Sequence, residues 1–329
     1  MKTKIERRMR TEKQSAETEV LGTSRAARPS TDAWDQLASL ESEAITIMRE
    51  AAGAYTKAAI LFSGGKDSAV LLRLAQKAFW PGPIPFILLH VDTGHNFPET
   101  LEYRDRAAAQ ARAQLVVRSV EDAIRRGVAA EDPGQVPSRN RAQSPTLLEA
   151  VAELGLEGLF GGGRRDEEKA RAKERVFSVR DEFGQWDPRN QRPELWRTFN
   201  PLLRRGHHMR VFPISDWTEL DVWNYIKHEG IELPSLYFAH EREVVERQGR
   251  LVPVSEFTPP LVGESACRRT VRFRTVGDLT CTTAVGSHAG TLDEIIAELA
   301  SSNTSERGSR LDDRTSEAAM EDRKKEGYF

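Results

Sequence analysis

Cysteine is almost absent: Cys267 and Cys281 are the only two in 329 residues, and no C-x-x-C occurs. A disulfide framework, a zinc site and a cysteine-ligated cluster are therefore poorly supported. There is no excess of charge of one sign either. Forty-eight Lys+Arg against 50 Asp+Glu leave a net charge of −2, so nothing in the balance calls for nucleic acid or an anionic membrane. No run approaches the ~18 apolar residues that span a bilayer. The N-terminus is basic and polar through Arg10 with no apolar core behind it, unlike a secretory signal. The expectation is a soluble, cytoplasmic protein whose length allows one large core or two modest ones.

What is present centres on Leu61 to Ser68, L-F-S-G-G-K-D-S. The apolar run Ala58 to Phe62 leads into it and Ala69-Val70-Leu71-Leu72 leads away, the pattern of a buried strand, a glycine turn and an amphipathic helix. Gly64 and Gly65 allow close backbone approach to a ligand. The opening of a helix favours an anion; Lys66 adds a full positive charge, and Ser63 and Ser68 add hydroxyl donors. A polyphosphate is the natural occupant, although the spacing is not the G-x-x-x-x-G-K-[ST] of a Walker loop.

Along the chain, residues 1–31 read as a disordered basic arm, 32–230 as an α/β nucleotide-binding domain and 231–329 as a mixed C-terminal region. A helix is expected from Asp32 to about Ala54. A second strand, Pro85 to Val91, runs into Asp92-Thr93-Gly94-His95-Asn96, and the repeat of strand, polar loop and helix argues for parallel βαβ units. In such sheets ligands gather at the carboxyl ends of strands, which puts Asp92 where a catalytic carboxylate would sit. Leu115 to Val117 is a third strand, Pro145 to Leu154 a helix and Glu157 to Phe160 a fourth strand. That strand delivers Gly161-Gly162-Gly163-Arg164-Arg165-Asp166-Glu167. Arg210 to Ile214 is a fifth strand, followed by a helix to Glu229 capped by Ser215 or Asp216. Thr291 to Ala300 and Glu317 to Glu326 read as further helices.

Mixed-sign runs such as Arg164 to Arg175 are usually a solvated helix face. Their place after three glycines at a strand end instead favours guanidinium forks for a small oxyanion. His95 and Asn96 either reach a nucleotide or, for His95, form ordinary surface. His90 reads as a satisfied core residue, and His207-His208 as a polar turn without matching metal ligands. Arg272 and Arg274 alternate with Val271 and Phe273 as on an edge strand. Trp186, Trp196, Trp217 and Trp223 are too scattered for a base-stacking platform.

Ser63 to Ser68 resembles the PP-loop of the ATP pyrophosphatase superfamily, whose members cleave ATP between the α and β phosphates. Longer stretches narrow the likeness: Ala78 to Gly82, His90 to Glu99, Arg164 to Arg175, Asn190 to Trp196, Val271 to Gly277 and the tail Lys325 to Phe329. Together they resemble the small, catalytic subunits of bacterial ATP sulfurylase (sulfate adenylyltransferase subunit 2), over roughly residues 33 to 329. Three departures stand out: Gly163 where alanine is expected, an atypical Arg139 to Ser144, and Leu202-Leu203 in place of a small polar turn.

The resemblance implies a parallel-rich twisted sheet with helices on both faces, of the adenine nucleotide alpha hydrolase-like kind. It implies adenylyl transfer from ATP to sulfate, giving adenylyl sulfate and pyrophosphate, with Mg²⁺ accompanying ATP. GTP would enter only through a GTP-binding large subunit, with 231–329 as the candidate docking segment. Under it Ser63, Gly64, Gly65, Lys66 and Ser68 take the β and γ phosphates, and Asp67 orients the loop or a Mg²⁺ water. Asp92 is the candidate carboxylate for Mg²⁺, directly or through water. Arg164 and Arg165 bind sulfate or the α-phosphate, with Asp166 and Glu167 holding their forks, while His95, Asn96, Gly161 and Gly162 face the nucleotide. The rival readings are an adenylyl-sulfate or phosphoadenylyl-sulfate reductase and a non-catalytic nucleotide-sensing subunit of the GTPase. A reductase needs a nucleophilic thiolate on a mobile C-terminal segment, and Thr282 to Phe329 contains no cysteine.

Overall fold

The computed structural model describes residues 31–131, 139–167, 174–186, 191 and 193–301. Residues 1–30 of the expected arm, the expected helix Glu317 to Glu326, and Glu168 to Lys173 of the long arginine-acid run lie outside them. Two compact units are present. Met1–Ala38 is the first, described only from residue 31, where helix α1 (Thr31–Ala54) begins. The unit from Ser39 onward carries both sheets and the whole candidate site.

In that unit short apolar strands alternate with helices: β1 (Ala58–Leu61), α2 (Lys66–Phe79), β2 (Ile87–Asp92), α3 (Pro98–Gln110), β3 (Leu115–Ser119), α4 (Val120–Arg125), α5 (Gln143–Leu154) and β4 (Gly158–Phe160). β5 (Phe177–Arg180), β6 (His208–Val211) and α6 (Glu219–Glu229) complete the first layer system. The six strands lie in the order β3-β2-β1-β4-β6-β5, parallel except for β5, which pairs antiparallel with β6. Ala59, Leu89 and Leu159 from three neighbouring strands pack with Leu147, Ala150 and Val151 of α5 in one core cluster. Such parallel strands are apolar on both faces because helices flank the sheet.

β5 was not expected, because its sequence Phe-Ser-Val-Arg carries two polar residues on one side. Both are buried: Ser178 and Arg180 pair in register with Arg210 and His208. Glu174 makes this possible by binding the Arg180 guanidinium, which also donates to Ser178 Oγ at 2.7 Å. His208 is thus in a strand rather than a polar turn. Burial first, then Arg210 and Arg180, pushes its pKa down to about 2. α6 starts later than expected, capped by Thr218 rather than Ser215 or Asp216. Thr218 accepts from Asp221 N–H at 3.1 Å while Asp221 accepts from Thr218 N–H at 2.9 Å, a reciprocal capping box.

Beyond Gly230 the mixed region forms a four-stranded antiparallel sheet, β10-β9-β7-β8, from β7 (His240–Arg247), β8 (Arg250–Pro253), β9 (Cys267–Arg272) and β10 (Val285–Gly286). Helix α7 (Leu292–Ser301) follows. Arg272 and Arg274, expected on an exposed edge, are buried. Glu298 accepts from Arg272 at 2.8 Å and Glu219 from Arg274 at 2.7 Å, and these carboxylates offset the desolvation of the two guanidinium groups. Among the described residues no helix is long and apolar enough to cross a membrane.

Candidate functional site

β1 sits between β2 and β4. The chain builds outward from β1 through β2 to β3, then returns to the other side of β1 for β4. That reversal opens a crevice at the carboxyl ends of β1 and β4, the usual ligand position in open α/β sheets. A cavity of about 250 Å³ lies there. Ser63, Asp67 and Ser68 line it from the β1 turn, and Gly161, Gly162, Gly163 and Glu167 from the β4 turn. His90, Thr93 and Asn96 line it from the end of β2, and Asn140 and Gln143 from the entry to α5. Val276, Gly277, Asp278, Cys281 and Thr282 close it from the C-terminal region.

Glycine is required at one position in each of the two turns. Gly64 has φ +79°, and a Cβ there would lie 2.7 Å from Thr100 Cγ2. A Cβ on Gly162 would lie 2.7 Å from Asp67 Cβ and 3.4 Å from the Asp67 carbonyl carbon. The two turns therefore touch backbone against side-chain root. Around the first turn, Ser63 Oγ accepts from Gly65 N–H at 3.3 Å, and Ser68 Oγ donates to the Gly65 carbonyl at 2.8 Å. Lys66 N–H donates to Tyr237 Oη at 2.9 Å. Gly65 caps α2 with no side-chain hydrogen bond, so α2 starts on hydroxyl oxygens brought from outside the helix.

Charges alternate behind this wall. Lys66 Nζ lies 2.9 Å from Asp67 Oδ2, Asp67 Oδ1 lies 3.0 Å from Arg164 Nε, and Arg164 Nη2 lies 3.8 Å from Glu167 Oε1. Lys66 and Arg164 are 1% exposed, whereas Asp67 and Glu167 line the cavity. The structure thus joins Lys66, Asp67, Arg164 and Glu167 in one cluster, with carboxylates toward the cavity and cations one layer back. Arg165 and Asp166 are not part of it. Arg165 binds Asp216 and donates its backbone N–H to the Ser215 carbonyl at 2.9 Å. Asp166 Oδ2 accepts from Glu219 N–H at 3.0 Å, at the start of α6, instead of holding an arginine fork. The chain turns here, with Glu167 N–H donating to the Arg164 carbonyl at 3.3 Å, and Arg164 is buried while Arg165 is part-exposed.

Asp92 is also absent from the cavity lining. Its Oδ1 accepts from Gly94 N–H at 2.8 Å, and its Oδ2 lies 3.7 Å from Arg104. His95 is neither exposed nor in the lining: its ring packs on Phe257 at 4.1 Å, and its Nδ1 lies 3.8 Å from Asp278 Oδ2. Burial holds the His95 pKa below the ordinary value, with Asp278 pulling the other way. His90, expected as core, is buried but borders the cavity. Its pKa is lowered chiefly by burial, against a hydrogen bond to the Phe62 carbonyl.

Sequence reasoning missed Tyr237, Asp278 and Thr282. Tyr237 reaches Lys66 across 171 residues, and no local pattern could have found it. The run Val271 to Gly277, noted for its likeness, was the one signal pointing to this side. Tyr237→Phe is expected to lower the free energy of unfolding by about 1 kcal/mol, since Lys66 N–H loses its 2.9 Å acceptor. A urea titration should show a lower midpoint with an unchanged slope.

The arrangement can accept a polyanion: two glycine turns, a helix start, small hydroxyl donors and two buried cations meet at one crevice. The phosphoadenosine phosphosulfate reductase domain family matches residues 57–284. Sulfate adenylyltransferase subunit 2 of Streptomyces lavendulae is 57% identical over 291 residues, covering 88% of this chain and 91% of that protein. The Mycobacterium tuberculosis (strain H37Rv) protein of the same name is 56% identical over 291 residues, covering 88% and 93%. Among solved structures, Candida glabrata FMN adenylyltransferase in complex with ATP is similar at a TM-score of 0.46 and 13% identity, over 87% of this chain and 91% of that one. The chain belongs to the sulfate adenylyltransferase subunit 2 family, within the wider phosphoadenosine phosphosulfate reductase domain family.

Proposed function

We propose that the chain transfers the adenylyl group of ATP to sulfate, giving adenylyl sulfate and pyrophosphate in the cytoplasm. The observation that carries this is the 57% identity to a sulfate adenylyltransferase subunit 2 over 88% of the chain. The crevice supports it. ATP lies across the two turns, its β and γ phosphates against Ser63, Gly64, Gly65 and Ser68. Asn96 and the Gly161-Gly162 backbone border the rest of the nucleotide. A sulfate oxygen attacks the α-phosphorus, the α–β bridging bond breaks, and its electron pair leaves with pyrophosphate. Sulfate is a weak nucleophile, so the work of the site is alignment and stabilisation of the departing charge. Lys66 and Arg164 supply that stabilisation from beneath Asp67. Arg165, engaged by Asp216, serves the joint with α6, and we assign the sulfate contact to the Arg164 side alone.

Mg²⁺ arrives with ATP in this reading. Asp92 does not suit it, since that carboxylate does not line the cavity. Asp67 and Glu167 line the cavity, and one or two carboxylates beside substrate phosphates are what Mg²⁺ ordinarily takes. Bound there, the metal would withdraw charge from the phosphate oxygens.

The name "subunit 2" implies a partner subunit. We take this partner to be a GTP-binding large subunit whose GTP hydrolysis drives the uphill synthesis, with residues 231–329 as its docking segment. The test is pyrophosphate release by the chain copurified with its partner, with ATP present and sulfate and GTP each added or omitted. Release should require sulfate and rise with GTP. Release indifferent to sulfate, or sulfite production with thioredoxin, would refute the reading.

A further inference from the structure

One chain of hydrogen bonds on the cavity wall has no part in the phosphate chemistry. His90 Nδ1 lies 2.8 Å from the Phe62 carbonyl oxygen. A carbonyl can only accept, so Nδ1 carries the hydrogen and Nε2 of the neutral ring is left as an acceptor. Asn96 Nδ2 lies 3.4 Å from that Nε2. At the other end of the amide, Asn96 Oδ1 accepts from Thr93 N–H at 3.2 Å and from the Thr93 hydroxyl at 2.5 Å. The Thr93 hydroxyl accepts in turn from His95 N–H at 3.1 Å. Backbone groups that cannot exchange roles stand at both ends, the Phe62 carbonyl on one side and the Thr93 and His95 N–H groups on the other. Every donor and acceptor between them is thereby set, and the Asn96 amide has one orientation.

We propose that His90 is a positioning residue: it fixes Asn96 with the amide nitrogen toward the ring, so that the second amide hydrogen is offered to an acceptor on the nucleotide. This rests on the reading of the cavity as the ATP site. His90, Thr93, Asn96 and Phe62 all border that cavity, and His90 is only 2% exposed. It therefore acts through Asn96, with Phe62, the residue after β1, as its anchor.

The test uses the copurified complex and a non-cleavable α,β-methylene analogue of ATP, with binding read by calorimetry and kcat and KM for ATP read separately. His90→Leu removes donor and acceptor together and should weaken analogue binding about three- to tenfold, the loss of one hydrogen bond. KM should rise by the same factor while kcat changes little. His90→Gln keeps an N–H and an oxygen acceptor and should restore binding to within about twofold. Asn96→Ala combined with His90→Leu should bind no more weakly than Asn96→Ala alone, because the histidine acts only through the amide. Should the leucine variant fail to fold, His90→Phe runs the same cycle. Losses that multiply in the double variant, or a glutamine variant as weak as leucine, would overturn the assignment alone. Wild-type complex that does not bind the analogue would overturn the nucleotide reading and the assignment with it.

Discussion

Lys66→Ala is expected to lower sulfate-dependent pyrophosphate release by about 10²- to 10³-fold, the usual cost of deleting a group that stabilises transition-state charge. The lysine is 1% exposed and sits at the first position of α2, with its ammonium 2.9 Å from Asp67. Without it, Arg164 remains beside the Asp67 carboxylate that faces the cavity, at 3.0 Å. The net field at the crevice then turns against a triphosphate. Because that second contact remains, the fold should survive. Steady-state rates of the complex, beside a thermal unfolding curve, separate the two effects. A variant within tenfold of wild-type activity would show that the lysine is structural.

Gly162→Ala is expected to cost activity about 100-fold, the scale associated with misplacing a reacting group by an ångström. The added Cβ would stand 2.7 Å from Asp67 Cβ, which is a side-chain root and cannot swing away. Either the β4 turn or the start of α2 must move, and Arg164 follows Gly162 by two residues. Overpacking of this kind should also lower stability by about 1–3 kcal/mol. Gly286→Ala, where nothing lies within 4 Å of the new Cβ, is the control for a glycine replaced without contact. Equal rates for the two variants would mean that the touching turns do not matter to catalysis.

The sequence made legible whatever was local. Ser63 to Ser68 could be read because strand, glycine turn and helix are written in consecutive residues, and Gly161 to Gly163 form a second glycine turn directly after β4. Features that depend on distant partners were not legible. β5 looks too polar for a sheet until Glu174 is known to meet Arg180 inside it. Arg272 looks like edge chemistry until Glu298, 26 residues away, is seen to accept from it. The start of α6 was misplaced because Asp216, a good capping residue in isolation, is engaged by Arg165. Electrostatics shows the same limit. Lys66, Arg164 and Arg165 suggested cations facing a ligand, whereas Asp67 lies between Lys66 and Arg164 and lines the cavity itself. Rank of residue types along a chain does not reveal which member of a charged cluster reaches the surface. The C-terminal wall, Val276 to Thr282, was hidden for a simpler reason: it meets the β1 turn only through tertiary packing.

The most direct test of the reading that ATP occupies the crevice between the two glycine turns is a crystal structure of the complex with α,β-methylene ATP. The expected density places the β and γ phosphates on the Ser63 to Ser68 turn and the α-phosphate beside Gly161 to Gly163, within reach of Arg164. Nucleotide bound elsewhere on the chain, with this crevice empty, would contradict it.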